Sequence, residues 1–335
     1  MIKEAIGVVA QGQDLTAEDM TMAMEEIMNG LATSAQIGGF LTALHMKGET
    51  TAEITGAARA MRAKAVKIQT RTKDLLDTCG TGGDGKKTFN ISTTVAFVAA
   101  GAGVPVAKHG NRAVSSSCGS ADVLEALGIK IDLDPEAAAH CIDEAGIGFL
   151  FAPIFHTAMR HAVGPRRELG FRTIFNVLGP LANPAGVRRQ VLGVYDADLA
   201  EIMAQVLNAL GTEHALVVYG AGQTDELTIA GENHVYECHD GNVRHYKISP
   251  SDFGFEQAPV TALMGGDAKQ NAGILLGILS GETGPRRHVV LLNAAAALIA
   301  AGKAEDFAAG IAMAAKSIDS GAALGALERL KRIAV

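Results

Sequence analysis

The sequence has no tryptophan, and its aromatic residues amount to only 4%. That scarcity by itself excludes no fold class. Cysteine is also sparse, with Cys79, Cys118, Cys141 and Cys238 placed so that no two form a C-x-x-C pair. Thiolate metal centres and disulfide frameworks are therefore disfavoured, and a reducing cytoplasm is the expected setting. Basic residues number 29 against 36 acidic ones, a net charge of −7. This argues against a general nucleic-acid or anionic-membrane surface and leaves room for a local basic pocket. The apolar run from Asn293 to Ala301 is too short to span a bilayer, and Met1-Ile2-Lys3-Glu4 has no signal-peptide profile. There is no internal repeat, no low-complexity tract and no signature of a nucleophilic triad.

What is present is an ordinary globular composition, 48% hydrophobic and 19% charged over 335 residues, enough for one large domain and a smaller one. Residues 1 to about 68 read as helices only. Thr16 with Asp19 at the third position resembles a capping box and opens a stretch with Met20, Met24, Ile27 and Met28 on one face. Thr33 or Ser34 opens a second helix and Thr51 a third, with Gly30 and Gly48 as stops.

From Asp74 onward, short apolar runs alternate with helical stretches: Leu75 to Asp77, Val104 to Ala107, Gly148 to Phe151, Val191 to Val194 and Ala215 to Tyr219. This predicts a mainly parallel sheet covered on both faces. Val235 to Cys238 and Val243 to Ile248 flank Asp240-Gly241-Asn242, predicting an antiparallel hairpin at a sheet edge. Arg166 to Gly186 reads as a long connection, and alanine-rich helices are expected near 268–280, 287–301 and 304–320. The fold class is α/β: an all-helical domain over 1–70, joined by part of 165–186, and a large α/β domain over 71–335 with a mostly parallel central sheet.

Chemistry concentrates at strand ends. Asp77-Thr78-Cys79-Gly80-Thr81-Gly82-Gly83-Asp84-Gly85 follows the first apolar run and leads to a helix start at Asn90 to Thr93. Glycines let backbone amides turn inward onto an anion, and a helix N-terminus adds unpaired N–H groups, so this reads as a phosphate cradle. Neither the mononucleotide nor the dinucleotide fingerprint fits. Lys87 stands where a Ser or Thr must reach magnesium, and no acid lies about 20 residues past the glycines. Lys108 to Ser120 follows the second strand with positive charge and serine hydroxyls; a solvated turn is the alternative. Asp225-Glu226 follows the fifth, and adjacent carboxylates suit a magnesium ion on a diphosphate, or else exposed surface. His156, Arg160, Arg166 and Arg167 form a further basic group, arginine being suited to gripping a carboxylate.

Together, Asp77 to Asp84, Thr88 to Thr93, Lys108 to Ser116, Gly119 to Glu125, Arg166 to Asn176, Gly179 to Pro184 and Asp225-Glu226 resemble the anthranilate phosphoribosyltransferase family over essentially the whole chain. The resemblance implies a nucleoside phosphorylase/phosphoribosyltransferase-like fold and a homodimer joined through the helical domain. It implies transfer of phosphoribosyl from 5-phosphoribosyl 1-diphosphate to the amine of anthranilate, with Mg2+, in tryptophan biosynthesis. By resemblance, Gly80, Gly83, Asp84, Thr88, Asn90, Ile91, Ser92, Thr93, Lys108, Ser115, Ser116 and Ser120 would hold the phosphoribosyl diphosphate. Ser92, Asp225 and Glu226 match metal positions, and Gly80, Asn111, Arg166 and His156 match anthranilate positions. His109 would line that side and is the leading candidate for taking the late proton. Ser117 departs from the lysine or arginine of many relatives, and Pro165 from the valine of some. A pyrimidine nucleoside phosphorylase of similar fold is the nearest rival; Asn111, Arg166 and the Asp225-Glu226 pair speak against it.

Overall fold

The computed structural model describes residues 1–113 and 117–334. Four helices come first: α1 (Ile2–Val9), α2 (Ala17–Met28), α3 (Ser34–Lys47) and α4 (Thr51–Lys64). Hydroxyl caps begin the last three. Thr16 Oγ1 accepts the Asp19 amide at 3.1 Å, while Thr33 and Thr50 complete reciprocal boxes with Gln36 and Glu53. The third cap is Thr50 rather than Thr51, because Thr50 has the extended backbone (ψ 163°) that lets its hydroxyl reach the Glu53 amide. α1 has no side-chain cap, so the sequence carries no start signal for it. Met20, Met24, Ile27 and Met28 are buried as their spacing requires. A Cβ on Gly56 would stand 2.2 Å from Ala17 O, so α2 and α4 touch at a point where only glycine fits.

The strands are β1 (Leu76–Gly80), β2 (Val106–Gly110), β3 (Ile147–Phe151), β4 (Arg189–Gly193), β5 (His214–Tyr219), β6 (Asn233–His239) and β7 (Asn242–Ile248). They form one sheet in the order β3-β2-β1-β4-β5-β6-β7. The first five run parallel, and β6 and β7 are antiparallel. Asp240 and Gly241, at φ 49° and 78°, make the two-residue turn between β6 and β7. Every apolar run expected to be a strand is one.

Helices α5 (Ile91–Gly101), α6 (Ser120–Ala126), α7 (Pro135–Ala145), α8 (Ala152–Phe155), α9 (Arg160–Leu169), α10 (Phe175–Leu178), α11 (Ala197–Ala209), α12 (Ala268–Leu279), α13 (Pro285–Ala300), α14 (Phe307–Asp319) and α15 (Ala322–Ile333) complete the chain. Side chains alternate across a strand, so each sheet face builds its own core. Val191, Leu216 and Val218 join α5 and α13 on one side. Leu192, Val194, Ala215 and Val217 join α11 and the N-terminal bundle on the other.

The stretch expected as a long connection from Arg166 to Gly186 is substantially helical. It contains the end of α9, all of α10 and a 3-10 turn over Gly179–Leu181. Ile174, Phe175, Leu178 and Leu181 are buried in the bundle-side core, and that apolar burial is what makes the segment ordered structure rather than open loop. Pro165 lies buried inside α9.

Candidate active site

Parallel strands place their carboxyl ends on one edge of a sheet, where ligands of α/β folds bind. Here β1 ends at Gly80, β2 at Gly110, β4 at Gly193 and β5 at Tyr219. Three of the glycines at this edge are required by one neighbour, the loop carrying Asp225 and Glu226. A Cβ on Gly80 would lie 2.5 Å from Asp225 Oδ2, one on Gly193 1.5 Å from Asp225 O, and one on Gly220 1.9 Å from Glu226 O. Absence of side chains there lets the acidic loop fold over the strand ends.

The acidic loop is tied to the glycine loop and to α5 by direct hydrogen bonds. Gly82 N donates to Asp225 Oδ2 at 2.8 Å, and Ser92 N donates to Glu226 Oε1 at 3.1 Å. Ser92 Oγ in turn accepts Lys108 Nζ at 3.3 Å, and the same Nζ donates to Thr78 O. Lys108 is 3% exposed, so it forms the floor of the site beneath the start of α5. Gly82, Gly83 and Gly85 have φ of 64°, 79° and 69°, the left-handed geometry that turns this loop back on itself.

The carboxylates here are crowded. Asp225 is pushed up to about 7 by burial and then by the charge of Asp84, and burial followed by Asp225 drives Glu226 well above the usual carboxylate range. Asp84 Oδ1 accepts the Lys86 amide at 3.0 Å, whereas its Oδ2 is buried with no hydrogen-bond partner. Converging acids with an unpartnered oxygen are a fit for a hard divalent cation such as Mg2+. Beneath them, burial raises Asp77 to about 6 against the pull of Lys108; Asp77 accepts the His109 amide at 3.2 Å and Asn183 Nδ2 at 2.8 Å.

Asn90 caps α5 without a side-chain hydrogen bond of its own to the helix. Its Nδ2 donates to Cys118 O at 3.2 Å and its Oδ1 accepts Asn271 Nδ2 at 2.9 Å, so the helix start is braced by the loop after β2 and by α12. Thr88 bridges to Met264, Ile91 is buried, and Thr93 Oγ1 is buried without a partner. Ser120 Oγ donates to Asn111 O at 3.3 Å, and Ser117 Oγ to Gly266 O at 3.0 Å. Ser115 and Ser116 lie outside the described residues.

A second set of groups lies at the ends of β2 and β3. His109 and His156 have ring centroids 5.0 Å apart, and each keeps a buried Nε2 without a partner. His109 Nδ1 faces Gly179 O at 3.1 Å; a carbonyl only accepts, so Nδ1 carries the proton and Nε2 presents a lone pair. Burial, then His156, lowers His109 to about 3, and burial lowers His156 to about 4, so both rings are neutral and weakly basic. Arg166 is half-buried with its guanidinium 5.1 Å from the centre of the Phe175 ring, and burial lowers its pKa. No ion pair among the described residues occupies it. Asn111 is exposed, its Oδ1 accepting the Arg112 amide at 2.8 Å.

Sequence reasoning gave Arg172 no role of its own, yet it covers the glycine loop. Its Nη2 donates to Gly82 O at 3.3 Å, its guanidinium stacks 3.8 Å over Tyr195, and a Cβ on Gly83 would strike it. It stood within the basic run from Arg166, but no spacing rule joins it to Tyr195. Asn183 and Asn271 were likewise missed as braces; Asn183 stands among apolar neighbours, whereas Asn271 follows Lys269 and Gln270 and has no such mark.

The helical bundle domain of a glycosyl transferase family matches residues 3–65, and the a/b domain of a glycosyl transferase family matches residues 72–324. An anthranilate phosphoribosyltransferase of Chloroflexus aggregans is 59% identical over 331 residues, covering 98% of this chain and 97% of its own. That of Desulforamulus reducens is 56% identical over 330 residues, covering 98% and 96%. Among solved structures, the anthranilate phosphoribosyltransferase of Thermus thermophilus superposes with a TM-score of 0.93 at 44% identity, covering 98% of each chain. The enzyme from Saccharomyces cerevisiae in complex with PRPP and Mg superposes with a TM-score of 0.91 at 30% identity, covering 99% of this chain and 97% of that one. On full-length similarity and a shared fold, the chain belongs to the anthranilate phosphoribosyltransferase family.

Proposed function

We propose that this chain transfers the 5-phosphoribosyl group of 5-phosphoribosyl 1-diphosphate to the amine of anthranilate, giving N-(5-phosphoribosyl)anthranilate and pyrophosphate in tryptophan biosynthesis. The observation that carries the proposal is the closed set of hydrogen bonds joining Gly82 to Asp225, Ser92 to Glu226 and Lys108 to Ser92. It gathers a glycine loop, a helix N-terminus, a lysine and two carboxylates at one place, which is what a metal-bound diphosphate needs.

In this reading Ser92, Asp225 and Glu226, with Asp84 beside them, would hold Mg2+, which when bound offsets the negative charge growing on the departing pyrophosphate. Gly80, Gly83, Thr88 and the α5 start from Asn90 to Thr93 cradle the phosphates, with amides and the positive end of the helix directed at them. Ser115, Ser116 and Ser120 add hydroxyls. The C1′–O bond to diphosphate breaks, the C1′–N bond forms, and the ammonium nitrogen then loses its proton to the released pyrophosphate or to solvent. Anthranilate's aromatic amine is already neutral and nucleophilic at neutral pH, so no strong base has to act first.

Arg166 is proposed to grip the anthranilate carboxylate, with Asn111, Gly80 and His156 lining the ring, so that the amine is held near C1′. His109 Nε2, a weak base with a free lone pair, is suited to accepting a hydrogen bond from the amine and orienting it. The division near residue 70 then assigns the phosphate chemistry to the sheet and the aromatic acid to the region between sheet and bundle.

The homodimer is proposed on the exposed apolar side chains of the helical part. Met22, Leu31 and Met46 of α2 and α3 and the turn between them, with Val163 and Phe171 at α9, are large and exposed. A cytoplasmic setting is part of the same proposal. The test is pyrophosphate release: it should require 5-phosphoribosyl 1-diphosphate, anthranilate and Mg2+ together. Release of a free base from a nucleoside and inorganic phosphate, without pyrophosphate release, would overturn the reading.

A further inference from the structure

The opposite end of β5 carries a second group of ligating atoms. His214 opens β5, antiparallel pairing sets His239 across from it, and Glu237 lies two residues earlier on β6. His214 Nε2 is 2.8 Å from Glu237 Oε1, and one ligand atom from each of His214, Glu237 and His239 lies within 4.8 Å of the others. Among the described residues no other group of His, Cys, Asp and Glu meets this condition. His214 and Glu237 are 7% and 3% exposed, whereas His239 faces solvent. At ~3.3 Å per residue, the strand's length separates this group from the Asp225-Glu226 loop by roughly 17 Å.

The His214–Glu237 hydrogen bond occupies two members of the group, while His239 stacks on His214 with centroids 4.1 Å apart and planes at 17° and has its Nε2 3.7 Å from Asp240 Oδ2. The carboxylate is also pre-oriented. Glu237 Oε2 accepts Arg244 Nη2 at 2.8 Å and the Tyr246 hydroxyl at 2.9 Å, which leaves Oε1 directed at the imidazoles. We propose that His214, Glu237 and His239 form a binding site for a borderline divalent metal ion, zinc in the first place, separate from the magnesium position at the other end of the strand.

Two imidazoles and one carboxylate with an open position are a zinc donor set, and imidazole nitrogen selects zinc over magnesium. Metal bonds of about 2.0–2.2 Å put ligand atoms roughly 3–3.6 Å apart, and stacked rings do not aim both lone pairs at one point, so His239 has to leave the stack and turn its ring on binding. Its exposure beside the β6–β7 turn permits that. Arg244 and Tyr246 supply the supporting layer around the carboxylate. The positive charge of Arg244 weakens the pull of the carboxylate on a cation.

The test is calorimetric titration of Zn2+ into the full chain in millimolar Mg2+. One Zn2+ per chain should bind in the native protein and in D225N. Binding should weaken at least about tenfold in H239A, whose exposed position leaves fold and basal turnover unchanged. H245A is the control: His245 and His234 are 3.1 Å apart on the same hairpin but offer only two nitrogens, so its affinity should stay native. Zn2+ should raise the midpoint of thermal unfolding in the native protein and H245A, and not in H239A. Absence of micromolar binding, equal binding in H239A, or loss of binding in H245A or D225N instead would overturn the proposal.

Discussion

Glu226 Oε1 accepts the backbone N–H of Ser92 at 3.1 Å, joining the loop after β5 to the first turn of α5. The bond spends a helix-start amide on a protein carboxylate. That arrangement is stable while no anion is present and gives the carboxylate a fixed place beside the hydroxyl of Ser92. The first prediction concerns this pair. Glu226→Gln and Asp225→Asn should each shift the Mg2+ titration of turnover to higher concentration and lower kcat/KM by about 10²–10³-fold. An unaltered magnesium titration in both variants would remove the metal role.

Arg166 is half-buried and stacked on Phe175 without an acidic partner. Arg166→Ala should raise the KM for anthranilate by about 10–100-fold, the worth of a charge-assisted hydrogen-bonded contact. The KM for 5-phosphoribosyl 1-diphosphate should stay within about twofold, and Arg166→Lys should restore only part of the loss. Steady-state kinetics with each substrate varied in turn checks this; an unchanged anthranilate KM would contradict the assignment.

The glycines of the site edge have a steric role that a melting curve can read. A Cβ on Gly193 would lie 1.5 Å from the Asp225 carbonyl oxygen, a backbone atom with nowhere to retreat. Gly193→Ala should cost about 2–4 kcal/mol and displace the acidic loop. Gly7 sits inside α1 with nothing within 4 Å of its would-be Cβ. Gly7→Ala should be neutral or stabilise by up to about 1 kcal/mol. Equal melting temperatures for the two variants would show that the close approach does not constrain the fold.

His109 and His156 set a pH dependence whose direction is fixed by burial. Their folded pKa values, about 3 and about 4, lie below the unfolded value of roughly 6.5. Between those limits the unfolded chain binds the extra protons, so stability is fully present above about pH 6.5 and is lost as pH falls. Each histidine contributes a slope of up to about 1.4 kcal/mol per pH unit in that window. Urea unfolding at pH 7, 6 and 5 should show the loss, and His109→Gln or His156→Gln should flatten it. Turnover should show no acid limb near pH 6.5 arising from His109; a limb there that His109→Gln abolishes would make it the general base after all.

The dimer face proposed here is made of exposed apolar side chains of the bundle. Leu31 and Met46 are 71% and 81% exposed, far more than most of the large apolar residues of the chain. A Leu31→Glu, Met46→Glu double variant should elute as a monomer where the native protein elutes as a dimer, by size exclusion with light scattering. A native monomer would discard the proposal.

Much of this architecture was legible because its signals are local. Apolar runs of strand length gave all seven strands, and Asp240-Gly241 marked the hairpin because both turn residues need positive φ. Threonine caps marked α2 and α3, and α4 to within one residue. α1 fell within the stretch read as helical but its start went unmarked because no side chain caps it, and α10 was missed because a four-residue helix around Phe175 owes its order to burial against the bundle rather than to periodicity. The site divides in the same way. Glycine-rich loops and paired acids announce themselves in sequence, whereas the brace from Asn271 to Asn90 spans 181 residues and the Arg172 cover depends on a stack with Tyr195. The weak basicity of His109 was also beyond reach, since it comes from burial and from His156, 47 positions away by number.

The most direct test of the central claim is anthranilate fluorescence followed in a single cuvette. The native protein should quench it only when 5-phosphoribosyl 1-diphosphate and Mg2+ are both present, and Glu226→Gln should respond far more slowly at the same magnesium concentration. Fluorescence that persists in the native protein with both present, or that falls equally fast in excess chelator, would contradict the account.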